Sequence, residues 1–172
     1  MSASSRDLYL TAALAAAFGL IGYLYVTPTT TTSPEDYVAL NNMLSSFGRM
    51  VDQSINKPDN GLTAEQLKEY LTDDAVWSFE GPYPATSEGL TAIATDFNGF
   101  HSQFKQGKHQ YTNRIIDTQA KKMYWYSYAT WIQKSDGSIY GSRPAEGDYE
   151  ADIVKEGGKW KIRKVVTRFL KD

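Results

Sequence analysis

Cysteine is absent from this chain of 172 residues. That excludes a disulfide framework, a thiolate nucleophile and a cysteine-ligated zinc site. Histidine is nearly as scarce: His101 and His109 are the only two, so no zinc site can be built from histidines alone, and no metal is expected. A basic excess is missing too. Lys and Arg number 18 against 20 Asp and Glu, for a net charge of −2, so nothing is set out to neutralise phosphates and nucleic acid is not an expected partner. What is present is ordinary for a globular chain, with 41% hydrophobic and 22% charged residues, except that aromatics reach 13%.

Charge is also missing locally. After a short tail (residues 1–7), Leu8 to Val26 contains no charged side chain, and Arg6 and Asp7 are the only ones before Glu35. At 1.5 Å per residue this stretch spans about 28 Å as a helix, close to the thickness of a bilayer core. Tyr9 at one end and Tyr23 and Tyr25 at the other suit interfacial positions. A buried globular helix is the alternative, but such helices are seldom apolar all round in so small a protein. Residues 8–26 are therefore expected to form a transmembrane segment. Bulky Tyr23-Leu24-Tyr25-Val26 stands where a signal peptidase needs small residues, which favours an uncleaved signal anchor. No Lys or Arg follows until Arg49, so the N-terminus is expected to stay cytoplasmic and the remainder to be exported, as a single-pass membrane protein with an extracytoplasmic domain.

Residues 27–33 form a Thr-rich spacer, and one domain is expected over 34–172. Ser33-Pro34-Glu35-Asp36 reads as a helix start, and Tyr37, Leu40, Leu44, Phe47 and Val51 follow at helical spacing. Thr63-Ala-Glu-Gln66 is a capping box for a second, short helix, with Leu62 and Leu67 placed as a hydrophobic staple. Ala75–Phe79 alternates as a strand. A third helix is expected from Glu88, with Leu90, Ile93, Ala94, Phe97, Phe100 and Phe104 on one face and His101 exposed beside them. Strand-like runs follow at 111–118, 123–133, 149–155 and 160–170, the last two joined at Gly157-Gly158. The pattern predicts an α+β fold, three helices packed on a curved antiparallel sheet, with Trp77 and Trp160 buried in it.

This order, with Leu71-Thr-Asp-Asp-Ala-Val-Trp77, Glu88-Gly-Leu-Thr-Ala-Ile93, His109-Gln-Tyr-Thr-Asn113 and Gly147-Asp-Tyr-Glu-Ala-Asp-Ile-Val154 leading into Gly157-Gly-Lys-Trp-Lys-Ile162, resembles SnoaL-like domains of the nuclear-transport-factor-2-like superfamily. The resemblance covers nearly the whole domain and specifies scaffold more than chemistry. It implies a cone in which the sheet wraps an apolar pocket closed by helices. Members include isomerases, cyclases, dehydratases and plain binding or scaffold domains.

The same resemblance implies site residues. Asp52 stands five residues after Phe47, where dehydratases and cyclases of the family carry an aromatic residue, usually Tyr, before an Asp; here the phenol is missing. His109 matches the His that opens the family's His-x-x-x-Asn segment and Asn113 its end, while Tyr128 or its neighbours stand where dehydratases often carry the acid paired with that His. Period-two alternation puts His109, Tyr111 and Asn113 on one side of a strand. Tyr124, Tyr126 and Tyr128 share one strand face and Trp125 and Trp131 the other, and the sequence leaves open which face is concave. Asp52 and His109 are thus the candidate acid–base pair, and Phe47, Trp77, Tyr111, Asn113, Tyr126 and Tyr128 the candidate ligand-binding residues. Each has a plainer role available: a solvated Asp at a helix end, a structural His, core aromatics.

Three functions remain open at this point. One is a membrane-anchored domain binding a small apolar ligand in a cone-shaped pocket. Another is a cofactor-free isomerase, dehydratase or cyclase using Asp52 and His109. The third is an exported scaffold or assembly domain. No organic cofactor is expected, and a homodimer through the open sheet face is compatible with such a fold.

Overall fold

The computed structural model describes residues 32–56, 61–81, 84–139 and 145–169. The expected anchor at 8–26 and most of the spacer lie outside them; among the described residues no helix is long and apolar enough to cross a membrane.

Helix α1 (Pro34–Asn56) begins as its cap motif requires, the Asp36 N–H donating to Ser33 Oγ over 3.1 Å. Leu40, Leu44, Phe47, Val51 and Ile55 are buried along one stripe, while Tyr37, at the same phase, is exposed. Helix α2 (Ala64–Lys68) carries the full capping box between Thr63 and Gln66, with Leu62 and Leu67 buried beside it. Strand β1 (Leu71–Glu80) turns back into a short β2 (Ala85–Glu88), so Glu88 belongs to a strand rather than a helix. Helix α3 (Leu90–His101) starts after Gly89, whose φ of 80° carries the chain out of the sheet and lets its N–H reach Ala75 O at 2.8 Å. It ends three residues earlier than the apolar spacing suggested. Phe104 opens β3 (Phe104–Asp117), followed by β4 (Lys122–Gln133), β5 (Ala145–Glu156) and β6 (Lys159–Phe169).

The sheet order is β2-β1-β6-β5-β4-β3. Every pairing is antiparallel except β1 with β6, which is parallel, so the expected all-antiparallel sheet is corrected to a mixed one. That pair joins the domain's first strand to its last, and no hairpin signal could announce it. One face of the sheet is dry: Met123, Trp125, Ala129 and Trp131 of β4, Ala151 and Ile153 of β5, and Ile162 and Val165 of β6 meet Leu40, Leu44, Phe47 and Ile93 of the helices. Trp77 joins this core, but Trp160 is only half-buried; its Nε1 donates to Asp36 Oδ1 at 2.6 Å and Lys155 lies over its ring.

Strand β3 bulges between Thr112 and Ile115, where Asn113 adopts φ of 50°. The extra residue reverses the alternation, leaving Asn113 and Ile115 exposed and Ile116 buried. Arg114, within the bulge, is held by Asn41 O at 3.2 Å, the Asn41 side-chain carbonyl, Ser45 Oγ at 2.9 Å and Tyr111 O at 3.3 Å. The guanidinium thereby ties the bulge to α1.

Candidate functional site

The site forms where α1 crosses the edge strand β3. Two glycines permit the approach: a Cβ at Gly48 would stand 2.6 Å from the Tyr111 ring, and one at Gly107 would stand 2.6 Å from Ile55 and 2.9 Å from Trp131. Between these contacts, Asp52 and Asn56, one helical turn apart, reach the unpaired edge of β3. Asn56 Oδ1 accepts the Gly107 N–H at 2.9 Å, and Asp52 Oδ1 accepts the His109 N–H at 2.9 Å. The same Asp52 oxygen lies 2.7 Å from His109 Nδ1.

A carboxylate only accepts, so His109 donates from Nδ1, and in the neutral ring this leaves the lone pair on Nε2. Among the described residues no hydrogen bond occupies Nε2. The dyad is sheltered without being sealed, with side-chain exposures of 14% for Asp52 and 9% for His109. Trp131, Tyr111 and His101 surround the His109 ring, with centroids at 5.6, 6.1 and 6.5 Å. None of the three is cationic at neutral pH.

Below the dyad the interior is paved with rings. Trp125 stacks on Tyr149 at 5.0 Å, Tyr111 leans on both, and Phe47 stacks on Trp77 at 5.6 Å. Burial pushes the Tyr149 phenol up to about 12 and raises Tyr111 well above the usual range, so both hydroxyls stay protonated. The Trp125 N–H is buried without a partner.

Of the residues expected from sequence, the structure brings Asp52 and His109 together, with Tyr111 beside them. Phe47 and Trp77 are buried deeper, in the ring cluster. Asn113, Tyr126 and Tyr128 are elsewhere. The bulge turns Asn113 outward, and Tyr126 and Tyr128 occupy the outer face of β4, where Tyr126 donates to Glu146 at 2.6 Å. The buried row on β4 is the tryptophan row. The acid facing His109 comes from α1, as Asp52 itself, rather than from β4. An open, charged depression of about 360 Å³ bordered by Lys68, Asp73, Glu88 and Gly89 shares no residue with the dyad.

His101 was expected to be exposed and is buried, 8% exposed, between Phe97 and Phe100 and facing His109. The signal was available: Ala94, Phe97 and His101 keep the three- and four-residue spacing of the buried stripe. Desolvation, helped by the charge of the facing His109, lowers its pKa from 6.5 to about 3. Below pH 6.5 the unfolded chain therefore binds a proton that the folded chain refuses. Stability from this residue is complete above 6.5 and is lost as pH falls toward 3, by about 2 kcal/mol at pH 5. In urea unfolding, His101→Phe is expected to narrow the stability difference between pH 7 and pH 5 by about that much. An unchanged difference would show that His101 is solvated in the folded protein.

Residues 32–166 match the family of SnoaL-like domains. None of the curated proteins matches the chain. Among solved structures, a protein of Novosphingobium aromaticivorans proposed to be an aromatic ring hydroxylase is similar with TM-score 0.64 and 20% identity, covering 81% of this chain and 92% of its own. A second protein of that organism, proposed to be a scytalone dehydratase, gives TM-score 0.58 and 20% identity over 83% of this chain and 89% of its own. A dehydrochlorinase of hexachlorocyclohexane, LinA-type3 of Novosphingobium barchaimii, gives 0.60 and 18% over 80% and 88%. At these identities the likeness is one of fold.

Proposed function

Because the chain belongs to the SnoaL-like domain family, we propose that it binds an uncharged, largely apolar small molecule beside Asp52 and His109 and catalyses a cofactor-free elimination on it. His109 Nε2 takes a proton from a carbon next to an activating group. The C–H electron pair forms a double bond to the adjacent carbon, whose leaving group departs as halide, or as water after recovering the proton from the imidazolium. Asp52 holds the ring in the tautomer that frees Nε2 and balances the charge that develops on it. The observation that carries this reading is the 2.7 Å contact between Asp52 Oδ1 and His109 Nδ1, among the rings of Trp131, Tyr111 and His101. The similar folds named as a dehydratase and a dehydrochlorinase favour the same class of reaction.

A second reading has its own support. Asp52 also accepts a backbone N–H of the edge strand, so the dyad could serve as a clamp in a binding or scaffold domain. A substrate panel separates the two: chloride release from hexachlorocyclohexane and water loss from cyclic β-hydroxy ketones. His109→Gln is expected to lower turnover about 10²–10⁴-fold. Turnover unchanged by this substitution, or none by the wild type on the whole panel, leaves the clamp.

The proposal extends to location, with residues 8–26 tethering the domain to a membrane. Intact mass of membrane-extracted protein is expected to include that segment; a mature chain starting near Thr27 sinks the tether.

A further inference from the structure

We propose that His101 is a ligand-contacting residue of this site, hydrogen-bonding a hydroxyl or carbonyl oxygen of an uncharged ligand held against His109. The inference rests on the dyad being a ligand site and adds the substrate class: molecules that carry an oxygen, rather than purely hydrocarbon or halogenated ones.

His101 is more than nine-tenths buried, and its Nδ1 is enclosed without any hydrogen-bond partner. Leaving such a group unmatched is destabilising, and a phenylalanine would fill the same place among Phe97 and Phe100 without that penalty. The imidazole also faces the catalytic one. With ring centroids 6.5 Å apart, the nearest nitrogens cannot hydrogen-bond each other directly, yet one oxygen between them at ordinary hydrogen-bond lengths bridges such a gap. The groups facing His101 are His109 and, through it, Asp52. A second cation beside a protonated His109 would be repelled, and the depressed pKa keeps His101 neutral throughout the working pH range. It therefore brings no positive charge to favour a carboxylate or phosphate, and as a neutral ring it can accept from a hydroxyl or donate to a carbonyl. The dyad would then select the reacting carbon, and His101 the orientation of the oxygen.

The test uses two probes of one shape, p-cresol and p-xylene, which differ by a hydroxyl in place of a methyl. Dissociation constants are measured by NMR titration for the wild type and for His101→Phe. The expected result is that the ratio of p-xylene to p-cresol dissociation constants falls about tenfold or more in the variant, with p-xylene bound as well as before, while His101→Gln recovers part of the ratio. Independently of any variant, the ring-nitrogen resonances of His101 are expected to shift in wild-type protein on addition of p-cresol and not of p-xylene. An unchanged ratio in a folded variant, or His101 resonances indifferent to p-cresol, overturns the proposal while both probes still perturb His109. If neither probe perturbs His109, the ligand site itself falls, and this inference with it.

Discussion

Trp77→Ala is expected to cost about 3–5 kcal/mol in urea unfolding, enough to leave a domain of this size marginally folded. The indole is 3% exposed and stands where the helices meet the sheet. It stacks on Phe47 of α1 at 5.6 Å, takes the edge of Phe97 of α3 at 5.0 Å, and touches Phe79 and Tyr149 at 6.4 and 6.5 Å. Its Nε1 donates to Thr167 Oγ1 at 3.1 Å, across the parallel β1–β6 pair. Truncation opens a cavity that rings on four elements cannot collapse into, and it takes the indole donor from a fully buried threonine. Trp77→Phe keeps most of the stacking and loses the hydrogen bond, so its cost should be well below that of alanine. A loss under about 1 kcal/mol for alanine would mean that the Trp77 ring does not lie between the sheet and the helices. Trp160→Ala should cost less than Trp77→Ala, because that ring is partly exposed.

The elements that were legible in the sequence are those written in local chemistry. The Ser33 cap and the Thr63–Gln66 box announce two helices with their ends, and the alternation of Trp125, Ser127, Ala129 and Trp131 announces a strand. What escaped depends on distant partners. Strand β2, Ala85–Glu88, has no apolar alternation of its own and exists because β1 supplies its ladder. The parallel neighbour of β1 comes from the far end of the chain. The face of β4 could not be chosen because both rows are bulky; the choice follows from which side α1 covers. Asn113 fails for a different reason, since an inserted bulge residue reverses the period-two rule beyond Thr112.

The site divides in the same way. That Asp52 and His109 belong together came from the resemblance to a family, and edge placement on the α1 stripe left room for it. The contact itself needs Gly48 and Gly107, whose missing side chains let the helix lie against β3. His101 was hidden by carrying the α3 stripe on to Phe104. Once the helix stops at His101, Phe104 becomes a strand residue and the histidine becomes the last member of the buried face.

Asp52→Asn is the substitution that separates catalysis from clamping, because it changes charge and almost nothing else. The amide oxygen can still accept the His109 backbone N–H and the Nδ1 proton, so the two contacts of 2.9 and 2.7 Å can persist and stability should change by about 1 kcal/mol or less. What disappears is the negative charge opposite the imidazole. An imidazolium forming as Nε2 takes a proton then has a neutral dipole behind it where a carboxylate stood, in a site with little water to make up the difference. Turnover on any substrate of the panel is therefore expected to fall about 10²–10⁴-fold with the fold intact. Asp52→Ala should reverse the emphasis, leaving both donors of His109 without an acceptor and costing about 2–4 kcal/mol of stability besides activity. If Asp52→Asn turns over within threefold of the wild type while Asp52→Ala unfolds early, the carboxylate acts only as a strap on the edge strand, and proton abstraction by His109 does not depend on it.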